Sequence, residues 1–353
     1  VQGGISELTR RRYMNLAKGG WGLTFMEAVS ITADSLAHKN GLVLCRSTLD
    51  GFKQLVDSFK QINPQGLLLI QLTHSGIKSG PFSRVAAVLP THQKGIDYLS
   101  DQEIEDIRQK FVEGALLAQQ AGLDGIDLKL CHGYLGTELT RPSNTRNARW
   151  GGDFENRTRF LKDAVREISS RLQGTDFLLG SRISMYEGIP GGCGTSGPDE
   201  TVEDLTEMKR LVALMDTLGM DYVNVSAGLP GSTTAITIPT RETRLFCLDH
   251  FRYAKEVKAL GTGLTVIGSA YSVLKEQAPL MARDNISRGY VDLAGFGRQS
   301  LADPLFPAKL MYGEKIHYCT SCMGCGNLVD SPHTAGCIVY NDYYRKLNTE
   351  LNK

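Results

Sequence analysis

Three stretches of this chain carry residue types whose spacing could do chemistry. Near the C-terminus four cysteines read Cys319-x2-Cys322-x2-Cys325-x11-Cys337. Three soft thiolates on one tight loop with a fourth further on suit an iron–sulfur cube, and zinc, which also accepts four cysteines, is the competing reading. Upstream, Lys129, His132 and Tyr134 fall where an apolar run ends. A cation and an imidazole can both donate to one carbonyl oxygen while a phenol delivers a proton beside it. The third stretch is split between Gly268-Ser269-Ala270 and Gly295-Phe296-Gly297-Arg298, where small residues permit close backbone approach and the guanidinium offers a fork to a phosphate. Arg182 lies among Leu178, Leu179 and Ile183, and strand parity puts it on one face with Ser184. An inward arginine needs an anion, a polarised oxygen or a structural carboxylate, because unpaired burial of the charge is costly. Cys131 adjoins His132, but neighbours along a strand point apart, so a thiolate–imidazole pair is not expected.

These residues need a frame. Short, nearly continuous apolar runs at 22–31, 66–72, 125–130, 177–184, 222–226, 265–269 and 290–295 read as buried parallel strands. Helical patterns at 101–121, 154–171, 202–218 and 249–260 alternate with them, several opening at an Asp, Ser or Thr cap. The alternation predicts an α/β fold, a (β/α)8 TIM barrel, with a Cys-rich segment after it. Only seven strands are found, because 6–20 reads as a helix; the first strand is expected upstream of Val1. An open doubly wound sheet is the alternative, weakened because no G-x-G-x-x-G follows a strand. Barrel sites gather at the C-terminal strand ends. There the chain places Glu27, Gln71, His74, Lys129, His132, Arg182, Asn224, Ser226, Ser269 and Arg298.

Composition narrows the function classes. With 39 Lys+Arg against 38 Asp+Glu, the chain lacks the basic excess of a nucleic-acid binder. No apolar stretch approaches the roughly 18 residues of a membrane span, and the start lacks a signal-peptide pattern. The remaining cysteines, Cys45, Cys131, Cys193 and Cys247, are scattered, which argues against a disulfide scaffold and for a reducing cytoplasm.

Four ordered segments add a resemblance. Gln71-Leu72-Thr73-His74-Ser75-Gly76, His132-Gly133-Tyr134-Leu135 with Arg141-Pro142-Ser143-Asn144-Thr145-Arg146, Trp150 to Phe160, and Gly297 to Pro304 resemble the signature of the old yellow enzyme family of FMN-dependent ene-reductases. The resemblance implies an FMN barrel over 1–312. It gives Gln71 to the flavin pyrimidine edge, Arg182 to its N1 side and Ala28, next to Glu27, to a backbone approach to the ring. Ser269, Ala270, Gly297 and Arg298 would hold the phosphate. His132 would orient a substrate carbonyl and Tyr134 would donate the proton. Lys129 departs from the His or Asn common in the family at that position, and makes the pocket more cationic. The cysteine spacing is similar to that of the iron–sulfur subgroup, which includes 2,4-dienoyl-CoA reductases, trimethylamine dehydrogenase and bile-acid enoate reductases. That implies a 4Fe-4S cluster over 313–353, and FAD and NAD(P)H on a further domain or partner.

The expectation is therefore an ene-reductase acting on an enone, enoate or enoyl thioester. Its electrons come from a donor domain or subunit, and it has no nucleic-acid or membrane partner and forms a homo-oligomer. An amine dehydrogenase or demethylase is the alternative, disfavoured because Lys129 would repel a cationic substrate. A subunit that only carries electrons is the third reading.

Overall fold

The computed structural model describes residues 3–89, 94–147, 149–329 and 335–351. In chain order the elements run α1 (Glu7–Lys18), β1 (Leu23–Ser30), α2 (Leu49–Ile62), β2 (Leu67–Thr73), β3 (Ala86–Ala87), β4 (Asp97–Tyr98), α3 (Asp101–Gln120) and β5 (Gly125–Leu128). There follow α4 (Leu135–Thr140), α5 (Phe154–Arg157), α6 (Arg159–Arg171), β6 (Leu178–Ser184), α7 (Thr206–Thr217), β7 (Tyr222–Ser226), α8 (Thr234–Thr237) and α9 (Phe246–Lys258). The chain closes with β8 (Thr265–Gly268), a 3-10 segment Tyr271–Gln277, α10 (Ala278–Ser287), β9 (Leu293–Ala294), α11 (Gly297–Ala302), α12 (Phe306–Tyr312), α13 (Gly324–Val329) and α14 (Asp342–Leu351).

Seven strands form one curled sheet in the order β1-β2-β5-β6-β7-β8-β9. Every neighbouring pair in it is parallel. This is the (β/α)8 order with a seam between β1 and β9, each of which has one unpaired side among the described residues. Alternation decides what each face does. Outward residues such as Met26, Ile70, Leu72, Ile126, Val223, Val225 and Val266 join the helices in the main core. Inward, Leu69, Tyr222 and Ile267 pack with Phe25, Leu67 and Leu178 across the lower barrel. Each large apolar side chain buried this way contributes roughly 1.5–3 kcal/mol before entropy is counted. Gly180 faces the Tyr222 ring, where a side chain would start 2.4 Å from ring carbons, so small opposes large.

The expected elements hold with local differences. The pattern read as one helix over 154–171 divides at Thr158, whose hydroxyl turns back to the Phe154 carbonyl, so α5 and α6 are separate. The expected strand 290–295 shortens to two residues, and the expected helix 202–218 starts at Thr206. The helix expected over 6–20 is α1, capped by Ser6 accepting from the Thr9 amide. No described helix is long and apolar enough to cross a membrane.

Candidate active site

One step above the apolar layer, the same inward parity lifts Gln71, Asp127, Lys129, Arg182, Asn224, Ser226 and Ser269 toward the C-terminal ends of the strands. A cavity of about 1210 Å³ opens there and runs down the seam between β1 and β9. Its described lining includes His132, Arg182, His250, Ser269, Ala270, Gly297, Arg298 and Cys325, three arginines counting Arg283, and no Asp or Glu.

At one end β8 finishes in Ser269 and Ala270, and Ala270 adopts a left-handed backbone, φ 70°, that turns the chain across the opening. Gly297 leads into α11, and nothing lies within 4 Å of where a side chain on it would project. Arg298 donates to the Pro239 carbonyl at 2.6 Å and reaches the Met323 sulfur at 3.7 Å. No described carboxylate pairs with it or with Arg182.

Two strands away on β6, Arg182 donates to the Ser226 hydroxyl at 3.0 Å, and its buried Nε has no partner. His132 Nε2 lies 3.0 Å from the same hydroxyl. The guanidinium only donates, so the arrangement that uses the serine hydrogen sends it to Nε2 and leaves the proton on Nδ1. Burial, with the charges of Arg182 and Lys129, holds His132 neutral, well below its ordinary range. A left-handed backbone at His132, φ 63°, followed by Gly133 at 75°, makes the turn that brings the ring inward.

Lys129 is buried, and its ammonium sits 3.3 Å from the centre of the Tyr134 ring, a cation–π contact. Gln71 donates to Asp127 at 2.8 Å. Asp127 is fully buried, its second oxygen lacks a partner, and burial pushes its carboxyl up to about 6. Ala28 stands opposite Gln71 because β1 bulges at Glu27, whose side chain turns away to Tyr13 and Arg12. Thus His132, Arg182, Ser269, Ala270, Gly297 and Arg298 come together on the cavity wall. Ala28, Gln71, Lys129 and Tyr134 stand on the adjoining strand ends and turns without lining it.

The four thiols share the C-terminal segment: Cys319 is buried, Cys325 and Cys337 are half-buried and Cys322 is exposed. Left-handed backbone at Ser321 and Met323, φ 56° and 63°, wraps the loop around Cys322. The Ser321 amide donates to the Cys319 sulfur at 3.4 Å, and the amides of Val339 and Tyr340 point at Cys337. Amide-to-sulfur bonds and a soft four-thiol set suit an iron–sulfur group. No group of three or more His, Cys, Asp or Glu among the described residues is drawn into metal-holding geometry.

The segments that carried the resemblance mostly do structural work. Arg146 bonds the carbonyls of Val88 and Leu99, Arg157 bonds Thr140 and Glu207, and Asn144 bonds Leu139 and Trp150. The glycine-rich loop 188–197 closes over Arg141 and Glu187 rather than onto the cavity. His250, which no motif marks, lines the cavity behind Ser269.

Over residues 2–316 the sequence matches the family described as the NADH:flavin oxidoreductase / NADH oxidase family. It is 30% identical over 342 residues to an NADH oxidase of Thermoanaerobacter brockii, a match covering 92% of this chain and 48% of the relative. It is 28% identical over 344 residues to an N,N-dimethylglycine/sarcosine dehydrogenase of Chromohalobacter salexigens, covering 92% and 46%. The chain thus spans about half the length of these curated relatives. A solved 2-naphthoyl-CoA reductase in complex with 2-naphthoyl-CoA shares the fold at TM-score 0.83 and 21% identity, covering 98% of this chain and 53% of that one.

Proposed function

This chain belongs to the NADH:flavin oxidoreductase / NADH oxidase family, and we propose that it is the FMN-bearing part of an ene-reductase that reduces a C=C bond conjugated to a carbonyl. The observation that carries the reading is the cavity wall itself: it carries Arg182 and Arg298, neither paired with a described carboxylate, and no Asp or Glu among its described lining residues. Half-buried cations on a wall with no described acidic side chain favour an anionic occupant. An FMN fits the residues present, with its phosphate at Ser269, Ala270, Gly297 and Arg298, and its ring steadied by Arg182, Gln71 and the backbone at Ala28. When bound, the flavin supplies the hydride chemistry.

The chain's own side chains would do the rest. His132, neutral with Nδ1–H free, donates to the substrate carbonyl oxygen. Tyr134 delivers its hydroxyl proton to the α-carbon, and Lys129 over the ring face stabilises the phenolate left behind. Cys319, Cys322, Cys325 and Cys337 would hold a 4Fe-4S cluster, a group that passes single electrons. Cys325 on the cavity wall supports that placement. The division into a barrel over 1–312 and a cluster segment over 313–353, and a donor carrying FAD and NAD(P)H, belong to the same proposal. A cationic amine substrate would meet Arg182 and Lys129 with no described carboxylate on the wall, which favours the ene-reductase over an amine dehydrogenase.

Tyr134→Phe tests the assignment. Turnover of an α,β-unsaturated carbonyl compound is expected to fall about 10²–10⁴-fold while the rate of flavin reduction is unchanged. Equal loss of both rates would remove Tyr134 as proton donor. Zinc in place of iron and sulfide in anaerobically purified protein would remove the cluster.

A further inference from the structure

We propose that His250 takes up a proton when an anion is bound at Ser269, so that the phosphate end of the cavity is a proton-linked site. The inference rests on the reading of this cavity as an FMN site, and concerns a residue that no motif of the chain contains.

Hydrogen-bond arithmetic supports it. His250, on α9, is 1% exposed and stands directly behind Ser269. Its Nε2 lies 2.8 Å from the Ile236 carbonyl, which can only accept, so Nε2 carries a hydrogen. Its Nδ1 lies 3.0 Å from the Ser269 hydroxyl oxygen, which is also 2.8 Å from the Val225 carbonyl. That hydroxyl has one hydrogen and two claimants. If the ring is neutral, Nδ1 must accept it, and Ser269 then turns only lone pairs to the cavity. If both ring nitrogens are protonated, Nδ1–H donates to Ser269, and the hydroxyl hydrogen is freed from the ring and can turn from the Val225 carbonyl to a phosphate oxygen. The imidazole therefore decides whether Ser269 repels or receives an anion.

The surroundings set which state prevails. Arg182 on β6 raises the cost of a second positive charge, and His132 on the turn after β5 is the neighbouring imidazole. Arg283 of α10 and Arg298 of α11 line the same cavity, while the Asp249 carboxylate on α9 favours the cation. Burial, the largest influence, brings His250 down to about 4 in the anion-free protein. A phosphate dianion placed against Ser269 reverses the local sign and favours the imidazolium. Binding then consumes a proton from solvent, and affinity for a phosphate-bearing flavin weakens by up to about tenfold per pH unit as pH rises from the anion-free value toward the higher bound-state value.

Calorimetry of the full chain, freed of flavin, tests this with FMN and riboflavin in buffers of different ionisation enthalpy at pH 7.5, where the phosphate is almost wholly dianionic. Uptake of a large fraction of a proton with FMN and none with riboflavin is expected, on the order of 0.5–1 per site. His250→Gln retains a donor for Ile236 and should bind FMN without uptake; Ser269→Ala, which also removes a phosphate contact, should bind FMN more weakly and likewise without uptake. FMN binding without proton uptake in the unaltered chain would overturn the proposal and leave the flavin site standing. Uptake that persists in both variants would overturn it too. A chain that binds neither flavin would overturn the site, and the proposal with it.

Discussion

Two arginines, Arg141 buried and Arg182 half-buried, show how differently this molecule treats the same side chain. Arg141 follows α4 and meets Glu187 as a fork on a fork, Nε to Oε2 at 2.7 Å and Nη2 to Oε1 at 2.9 Å. The Cys193 amide adds a third bond to that carboxylate, at 3.0 Å. Arg182, on β6, has a serine hydroxyl and an orphaned Nε. Placing either charge away from water costs several kcal/mol, which a carboxylate offsets only when its geometry is good. The first site is closed by the protein alone and holds a loop in place. The second is half-buried on the wall of a cavity, where a partner from outside the chain can reach it.

That contrast can be broken by measurement. The largest effect expected is on stability: Glu187→Gln strands the Arg141 charge and should cost about 3–5 kcal/mol in denaturant unfolding. An equal loss on Arg182→Met would erase the distinction. Instead, Arg182→Met should leave stability within about 1 kcal/mol while weakening FMN binding by about 1.5–3 kcal/mol, read by flavin fluorescence. A pH effect sharpens the closed side. Burial pushes the Glu138 carboxyl up to about 7, Arg141 pulling against it. The folded chain then holds a proton that the unfolded chain releases near its ordinary 4.5, so this group's contribution is present below that pH and is lost as pH rises through about 7. Glu138→Gln should remove that decline, worth about 2–3 kcal/mol between pH 5 and 8 in thermal unfolding; an unchanged slope would place the titration elsewhere.

How far the sequence reached differs between frame and chemistry. Parity put Arg182 on one face with Ser184, and Ile183 on the other, because side chains alternate along a strand. The seven strands and the phosphate-end residues were legible for the same reason. The signature around Trp150 was legible as a resemblance, yet its arginines and asparagine serve carbonyls and carboxylates that tie the loop to α3, α5 and α7. Such a motif marks the fold more than the chemistry. The cysteine spacing could be read, but the left-handed Ser321 and Met323 that bend the loop carry no residue-type signal. His250 was hidden because it occupies a core position of α9 with Cys247, Phe251 and Ala254, and its partner lies 19 residues on. Lys129 against Tyr134 escaped too: a pairing of side chains around a turn depends on the conformation at His132 and Gly133.

The most direct test of the central claim is an equilibrium titration of the flavin-free full chain with FMN and with riboflavin, repeated on Arg298→Gln. The phosphate is worth a charge-assisted contact of about 1.5–3 kcal/mol, so FMN should bind at least tenfold more tightly than riboflavin, and the variant should lose that preference. Equal affinities in the unaltered chain, or a preference that survives the loss of Arg298, would contradict an anion held at this end of the cavity.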